Sequence, residues 1–153
     1  MFDTDTLSVQ AASQRLRLTV SGVPETVRPT AGSARAAVAD LLTERRADDF
    51  ESAVAEALAN AVEHGNGPQT RAITVNIDAL PGLVVARIRD AGHGQLARGP
   101  VDLFAGTEPA TEDSERGRGL KMMEGLVDEV EVANENGGRV VELRMRTTPA
   151  AEE

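Results

Sequence analysis

Alternating polar and apolar positions predict five β-strands, each with one buried face. A Pro-Gly turn separates the second and third strands, and an Asn-Gly-Gly turn separates the last two. Such short turns favour antiparallel hairpins. The inward positions of the strands are Leu16, Leu18 and Val20; Ile73, Val75 and Ile77; Val84, Ala86 and Ile88; Val130 and Val132; and Val141, Leu143 and Met145.

Apolar residues at helical spacing predict two helices between the first and second strands. One spans Ala34–Leu42. The other begins after a cap at Asp48 or Asp49 and continues to His64, where a Gly-Asn-Gly-Pro run ends it. The apolar stripe of this second helix, which we expect to face the core, consists of Phe50, Val54, Ala57, Leu58 and Ala61.

Periodicity disappears from Ala91 to Arg116, where Gly, Pro, Thr, Asp and Glu dominate. A loop this long inside a compact domain is typically a functional lid or a disordered segment. A short helix from about Gly119 to Leu126 follows it. The order strand, helix, helix, strand, strand, lid, helix, strand, strand predicts a largely antiparallel sheet with helices on one face.

The length and composition favour one soluble domain. Of 153 residues, 41% are apolar and 27% are charged, which is ordinary for a globular protein. We expect a flexible arm over 1–14, a single domain over 15–146 and a disordered tail over 147–153. The sequence shows no secretory leader and no run of about 20 apolar residues. We therefore expect a cytoplasmic protein that has no membrane partner.

The charge and aromatic content argue against nucleic-acid binding. The net charge is -9, with no Trp or Tyr and only three Phe, whereas nucleic acids select basic surfaces and stacking aromatics. Cysteine is absent and histidine occurs twice, so a transition-metal site has few ligands available. An acidic protein that binds a polyphosphate must neutralise it locally, and Arg116, Arg118 and Lys121 form a basic cluster suited to that task.

The first motif of chemical interest is E-x-x-x-N on the long helix. Glu56 and Asn60 lie one turn apart, so their side chains project together. An Asn oxygen suits Mg²⁺, which takes few protein ligands beside water and phosphate oxygens. A carboxylate one turn earlier is placed to act as a general base near a terminal phosphate. Taken alone, the spacing also fits two solvated helix residues.

The second motif, D-x-G-x-G, follows the third predicted strand. Gly92 and Gly94 allow a sharp turn and a close approach of the backbone to a flat ligand. The Asp90 carboxylate can accept a hydrogen bond from an exocyclic amine such as adenine N6, and it disfavours a keto group there. Taken alone, the motif also fits an ordinary turn that begins with Asp.

The third motif, Gly117-Arg118-Gly119-Leu120, lies where the long loop meets the last helix. Free backbone N–H groups and the helix dipole favour a phosphate at such a point, and glycine leaves room for it. One G-x-G is a weak signal. The order of all three motifs is a stronger one, and it predicts a single pocket for ATP with magnesium.

These motifs resemble the N, G1 and G2 boxes of the gyrase, histidine kinase and MutL ATPase superfamily (GHKL), which has the Bergerat fold. Within it, the short chain and the run from Glu56 to Gly65 resemble the bacterial anti-sigma-factor serine/threonine kinases. The similarity covers about residues 15–146. It implies an α+β two-layer sandwich, namely a mostly antiparallel mixed sheet with helices packed on one face and a long ATP lid.

The resemblance also implies roles for individual residues. Asn60 would hold Mg²⁺, Asp90 would read adenine, and Glu56 would take the proton from a serine hydroxyl of a partner. Arg116 or Arg118 would supply positive charge to the γ-phosphate. The residues that bind or shape the nucleotide pocket would be Asn60, Asp90, Gly92, Gly94, Arg116, Gly117, Arg118, Gly119 and Leu120.

Three functional hypotheses follow from the resemblance. The favoured one is an ATP-dependent serine/threonine kinase and anti-sigma factor that regulates transcription by partner switching. It would form a homodimer, bind a sigma factor, and phosphorylate an anti-anti-sigma antagonist of the STAS type. The alternative is a non-catalytic ATP-binding module that sequesters its partner, favoured by Glu108 in the lid where some relatives carry a basic residue. The third is a detached sensor-kinase domain acting on histidine, which Glu56 disfavours because an imidazole needs no base.

Overall fold

The structure is a computed structural model, and it describes residues 13–64, 72–90, 119–135 and 138–147. Five strands form one sheet. In each strand apolar residues alternate with polar ones, so one face of the sheet is buried. The strands are β1 (Ser13–Ser21), β2 (Ala72–Leu80), β3 (Leu83–Asp90), β4 (Glu129–Glu135) and β5 (Gly138–Arg146).

The strand order across the described sheet is β1-β2-β3-β5-β4. Every pair of neighbours in it is antiparallel, which confirms the predicted mostly antiparallel sheet. Gly82 allows the tight β2–β3 turn because its φ is 75°, a conformation that costs glycine little. The first strand begins at Ser13, two residues earlier than the alternation predicts. The predicted arm before it and the tail after 147 lie outside the described residues.

The first predicted helix is displaced along the chain. A 3-10 turn over Pro24–Thr26 leads into α1 (Val27–Val38), whereas the sequence predicts Ala34–Leu42. The helix starts earlier because Pro29 lies in its first turn, where the N–H that proline lacks has no partner in the helix. It ends earlier because a turn follows Val38, whose carbonyl accepts a hydrogen bond from the Leu41 N–H at 2.9 Å.

The second helix, α2 (Glu44–His64), begins before the predicted cap at Asp48 or Asp49, and that prediction is wrong. Thr43 caps it instead: its Oγ1 accepts a hydrogen bond from the Arg46 N–H at 3.2 Å. Asp48 pairs with Arg35 of α1. The hydrogen bonds to Asp48 and then to Glu51 raise the pKa of the Arg35 guanidinium above its usual value.

The helices cover one face of the sheet. A third helix, α3, includes residues 119–126. The predicted stripe of α2 is buried, with Phe50, Val54 and Ala57 each 0% exposed. It packs with α1, α3 and the inward strand residues in one hydrophobic core. In the described part of the chain, no helix is long and apolar enough to cross a membrane.

Candidate nucleotide site

The site residues that the structure describes lie on three elements. Glu56 and Asn60 occupy consecutive turns of α2 and are both half-buried, Gly119 is a buried residue of α3, and Asp90 is the last residue of β3. Gly92, Gly94, Arg116, Gly117 and Arg118 lie outside the described residues, so their predicted contacts with a nucleotide stay predictions.

Gly119 lies directly against the polar row of α2. A β-carbon added to it would stand 2.6 Å from Oε2 of Glu56 and 3.3 Å from Nδ2 of Asn60. Side chains larger than hydrogen therefore do not fit at position 119 without moving the Glu56 carboxylate. The structure thus brings together Glu56, Asn60 and Gly119, which belong to two different motifs of the sequence.

The packing of α3 explains how Gly119 reaches α2. Gly119 and Met123 are four residues apart and so share one face of α3, and Val127 directly follows the helix. Met123 is 1% exposed and Val127 is 7% exposed, while Leu120 is partly buried against the same core. Burial of these residues packs α3 against the core. The backbone at residue 119 then lies next to the Glu56 side chain.

A cavity of about 430 Å³ is lined in part by Glu56 and Asn60. Its walls include two carboxylates and one amide, together with apolar side chains from the 3-10 turn, α1 and α2. An open, partly polar cavity next to a candidate base leaves room for a second reactant. The described lining residues are Pro24, Val27, Glu56, Ala59, Asn60, Val62 and Glu63.

Asp90 is buried on the helix-covered face of the sheet, with 4% of its surface exposed. It follows Val84, Ala86 and Ile88 along the inward side of β3. The register places it between Ile73 of β2 and Arg139 of β5. A carboxylate in this position is shielded from bulk water, which strengthens its interaction with any donor that reaches it.

Arg139 lies outside the three sequence motifs. Directly opposed residues of antiparallel strands project from the same face, so the register places Arg139 on the helix-covered side beside Asp90. The signal was present in the sequence, because the alternation that assigns Val141 and Leu143 to the inner face extends two residues back to Arg139.

The chemistry of these groups fits a nucleotide with magnesium. Among the described residues, no group of three or more His, Cys, Asp or Glu side chains is arranged to hold a metal ion. Mg²⁺ bound to a nucleotide does not need such a group, since it is held by one or two protein oxygens, waters and phosphate oxygens. Asn60 offers such an oxygen, and glycine at position 119 places no β-carbon against its amide.

Comparison with known proteins identifies the family and the fold of the chain. The model of the histidine kinase-like ATPase domain matches residues 20–145, so the chain belongs to that family. It is similar to the crystal structure of the RsbU and RsbW domains of Rv1364c from Mycobacterium tuberculosis, with a TM-score of 0.61 and 23% identity. The match covers 86% of this chain and 32% of that one, and at this identity it shows the fold. No curated protein sequence matches the chain.

Proposed function

We propose that the protein is an ATP-dependent serine/threonine kinase and anti-sigma factor that acts by partner switching. In this proposal it binds a sigma factor, and it phosphorylates a serine or threonine of a STAS-type anti-anti-sigma protein. It works as a homodimer. The family, histidine kinase-like ATPase domains, supports the ATP part of the proposal, and the sequence resemblance supports the choice of partners.

One observation carries the catalytic part: the Glu56 carboxylate lies beside both Asn60 and the backbone of Gly119. A β-carbon at residue 119 would come 2.6 Å from its Oε2, so it stands where the glycine-rich motif and the helix meet. A serine hydroxyl is a weak nucleophile at neutral pH and gains from a base that removes its proton. In the proposal, Glu56 is the residue that removes this proton.

The other residues have binding roles in the proposal. Asn60 holds the magnesium ion through its side-chain oxygen, and Asp90 accepts a hydrogen bond from the adenine amino group. Bound ATP with magnesium supplies the phosphoryl group that is transferred. Glu56 takes the hydroxyl proton as the serine oxygen bonds to phosphorus, and ADP leaves with the electrons of the broken bond. Products are ADP and a phosphoserine, which is stable to acid.

The proposal is tested by recovering the partner and following the phosphate. The tagged protein is used to isolate bound proteins from a lysate of the source cell, and γ-labelled ATP with Mg²⁺ is then added. We expect acid-stable label on the partner, lost with Glu56→Ala and with Asn60→Ala. Acid-labile label would instead indicate transfer to histidine. Transfer that survives both substitutions contradicts the assigned roles, and partner binding without any transfer supports the non-catalytic alternative.

A further inference from the structure

The helix-facing side of β3 and β5 is apolar except at one pair of opposed residues, which are charged. On β3 this side carries Val84, Ala86 and Ile88, all at most 1% exposed, before it reaches Asp90. On β5 the residues that oppose these three are also apolar, and the residue that opposes Asp90 is Arg139. An acidic and a basic residue therefore interrupt the apolar surface together, directly opposite each other on neighbouring strands.

The other strand residues that flank Asp90 on this face are apolar. Ile73 opposes it on β2 and is 1% exposed, and Ile88 precedes it by two residues on β3. An ionised carboxylate that is 4% exposed is costly unless a cation or hydrogen bonds compensate it. Of the described residues that the register places beside Asp90 on this face, Arg139 is the one that carries a positive charge.

We propose that Arg139 is a positioning residue that keeps the Asp90 carboxylate ionised and oriented, and so determines which purine base the site accepts. The inference rests on the proposed nucleotide site. An ionised carboxylate is only an acceptor, so it binds an amino group and repels a keto oxygen. A carboxylic acid can also donate, and it would tolerate the keto oxygen of guanine. Arg139 thus favours adenine without touching it.

The experiment measures the dissociation constants of ATP and GTP, each with Mg²⁺, by calorimetry on the purified chain. Arg139→Met is compared with the unmodified protein and with Arg139→Lys. Arg89→Met is the matched control, because Arg89 neighbours Asp90 in the chain but lies on the opposite face of the sheet. Circular dichroism establishes that each variant is folded, and Arg139→Gln takes the place of Arg139→Met if that protein does not fold.

We expect Arg139→Met to weaken ATP binding by about tenfold, the usual effect of losing one interaction with a charged group. GTP binding should change less, so the ratio of the GTP to the ATP dissociation constant should decrease. Arg139→Lys should recover part of that preference, and Arg89→Met should stay within about twofold of the unmodified protein. Because Arg139 acts through Asp90, adding Arg139→Met to Asp90→Asn should change the preference no further.

Two results overturn the inference while leaving the proposed function intact. One is an Arg139→Met protein that keeps both its ATP affinity and its ATP preference. The other is that Arg139→Met lowers ATP affinity by the same factor in the Asp90→Asn protein as in the unmodified protein. Such a result would indicate a general structural effect that does not pass through Asp90. An unmodified protein that binds neither nucleotide overturns the proposed function, and this inference with it.

Discussion

The backbone of Gly119 in α3 lies against the Glu56 carboxylate of α2, and this contact leaves no room for a side chain at residue 119. The Oε2 atom of Glu56 would lie 2.6 Å from a β-carbon built there, a distance at which one of the two must move. The carboxylate is the end of a flexible side chain, so it moves more easily than the backbone. The position of Glu56 is therefore coupled to the identity of residue 119.

Replacing Gly119 with alanine should impair phosphate transfer more than stability. The added methyl group displaces the Glu56 carboxylate from Asn60, and a misplacement of about 1 Å costs a catalytic group about a hundredfold in rate. Because the displaced atoms belong to a side chain, the free energy of unfolding should change by less than about 1 kcal/mol. Single-turnover transfer and urea denaturation measure the two effects.

Gly125→Ala is the matched control, since it makes the same substitution in the same helix. A β-carbon at Gly125 meets no atom within 4 Å, and alanine favours helix over glycine by up to about 1 kcal/mol. This variant should keep full transfer and be as stable as the unmodified protein or more so. Equal transfer rates for the two alanine variants would show that the Gly119–Glu56 contact has no catalytic consequence.

The residues that face the core could be predicted from the sequence because they depend on local periodicity. The start of α2 could not, since Thr43 and Asp48 are both good helix caps. In the structure Thr43 accepts the N–H of Arg46, and Asp48 lies inside the helix, where it pairs with Arg35 of α1. Periodicity reports neither of these contacts.

Part of the site could likewise be predicted. The E-x-x-x-N spacing places Glu56 and Asn60 on one side of α2 by helical geometry alone. Their contact with Gly119 depends on how α3 packs across the molecule, and no local pattern contains that information. The alternation along the last strand carries Arg139 to the inner face, but its place beside Asp90 depends on the strand register, which the sequence does not show.

Met123 should be essential for holding α3 in place, whereas the adjacent Met122 should not. Met123 is 1% exposed and Met122 is 51% exposed, so truncation creates a cavity only at the first. We expect Met123→Ala to lower the free energy of unfolding by about 2–5 kcal/mol, and Met122→Ala to change it by less than about 0.5 kcal/mol. Urea denaturation followed by circular dichroism compares them. Equal losses would mean that α3 does not pack as the structure has it.

Gly32 offers a site at which stability can be raised without touching the nucleotide pocket. It lies inside α1, and a β-carbon there meets no atom within 4 Å. Glycine in a helix interior costs about 0.5–1 kcal/mol relative to alanine, mainly because its unfolded chain has more freedom. Gly32→Ala should therefore raise the thermal midpoint while ATP affinity stays unchanged. A lower midpoint would indicate that residue 32 is more closely packed than the structure shows.

Substitutions at Glu56 and Asn60 should separate catalysis from nucleotide binding, although the two residues lie one turn apart. Glu56→Gln keeps the shape of the side chain but removes the base, so transfer should fall by about a hundredfold to ten-thousandfold while the ATP dissociation constant stays within about threefold. Asn60→Ala removes the magnesium ligand and should weaken ATP binding in the presence of Mg²⁺, with little change in its absence.

The comparison uses Glu124→Gln as its control, because that carboxylate is exposed on α3. Calorimetry with and without Mg²⁺ gives the affinities, and labelled ATP gives the transfer rates. If Glu56→Gln weakens ATP binding as much as Asn60→Ala does, then Glu56 holds the nucleotide rather than the hydroxyl proton. If Glu56→Gln changes neither the ATP affinity nor the transfer rate, the Glu56 carboxylate is dispensable and another group is the base.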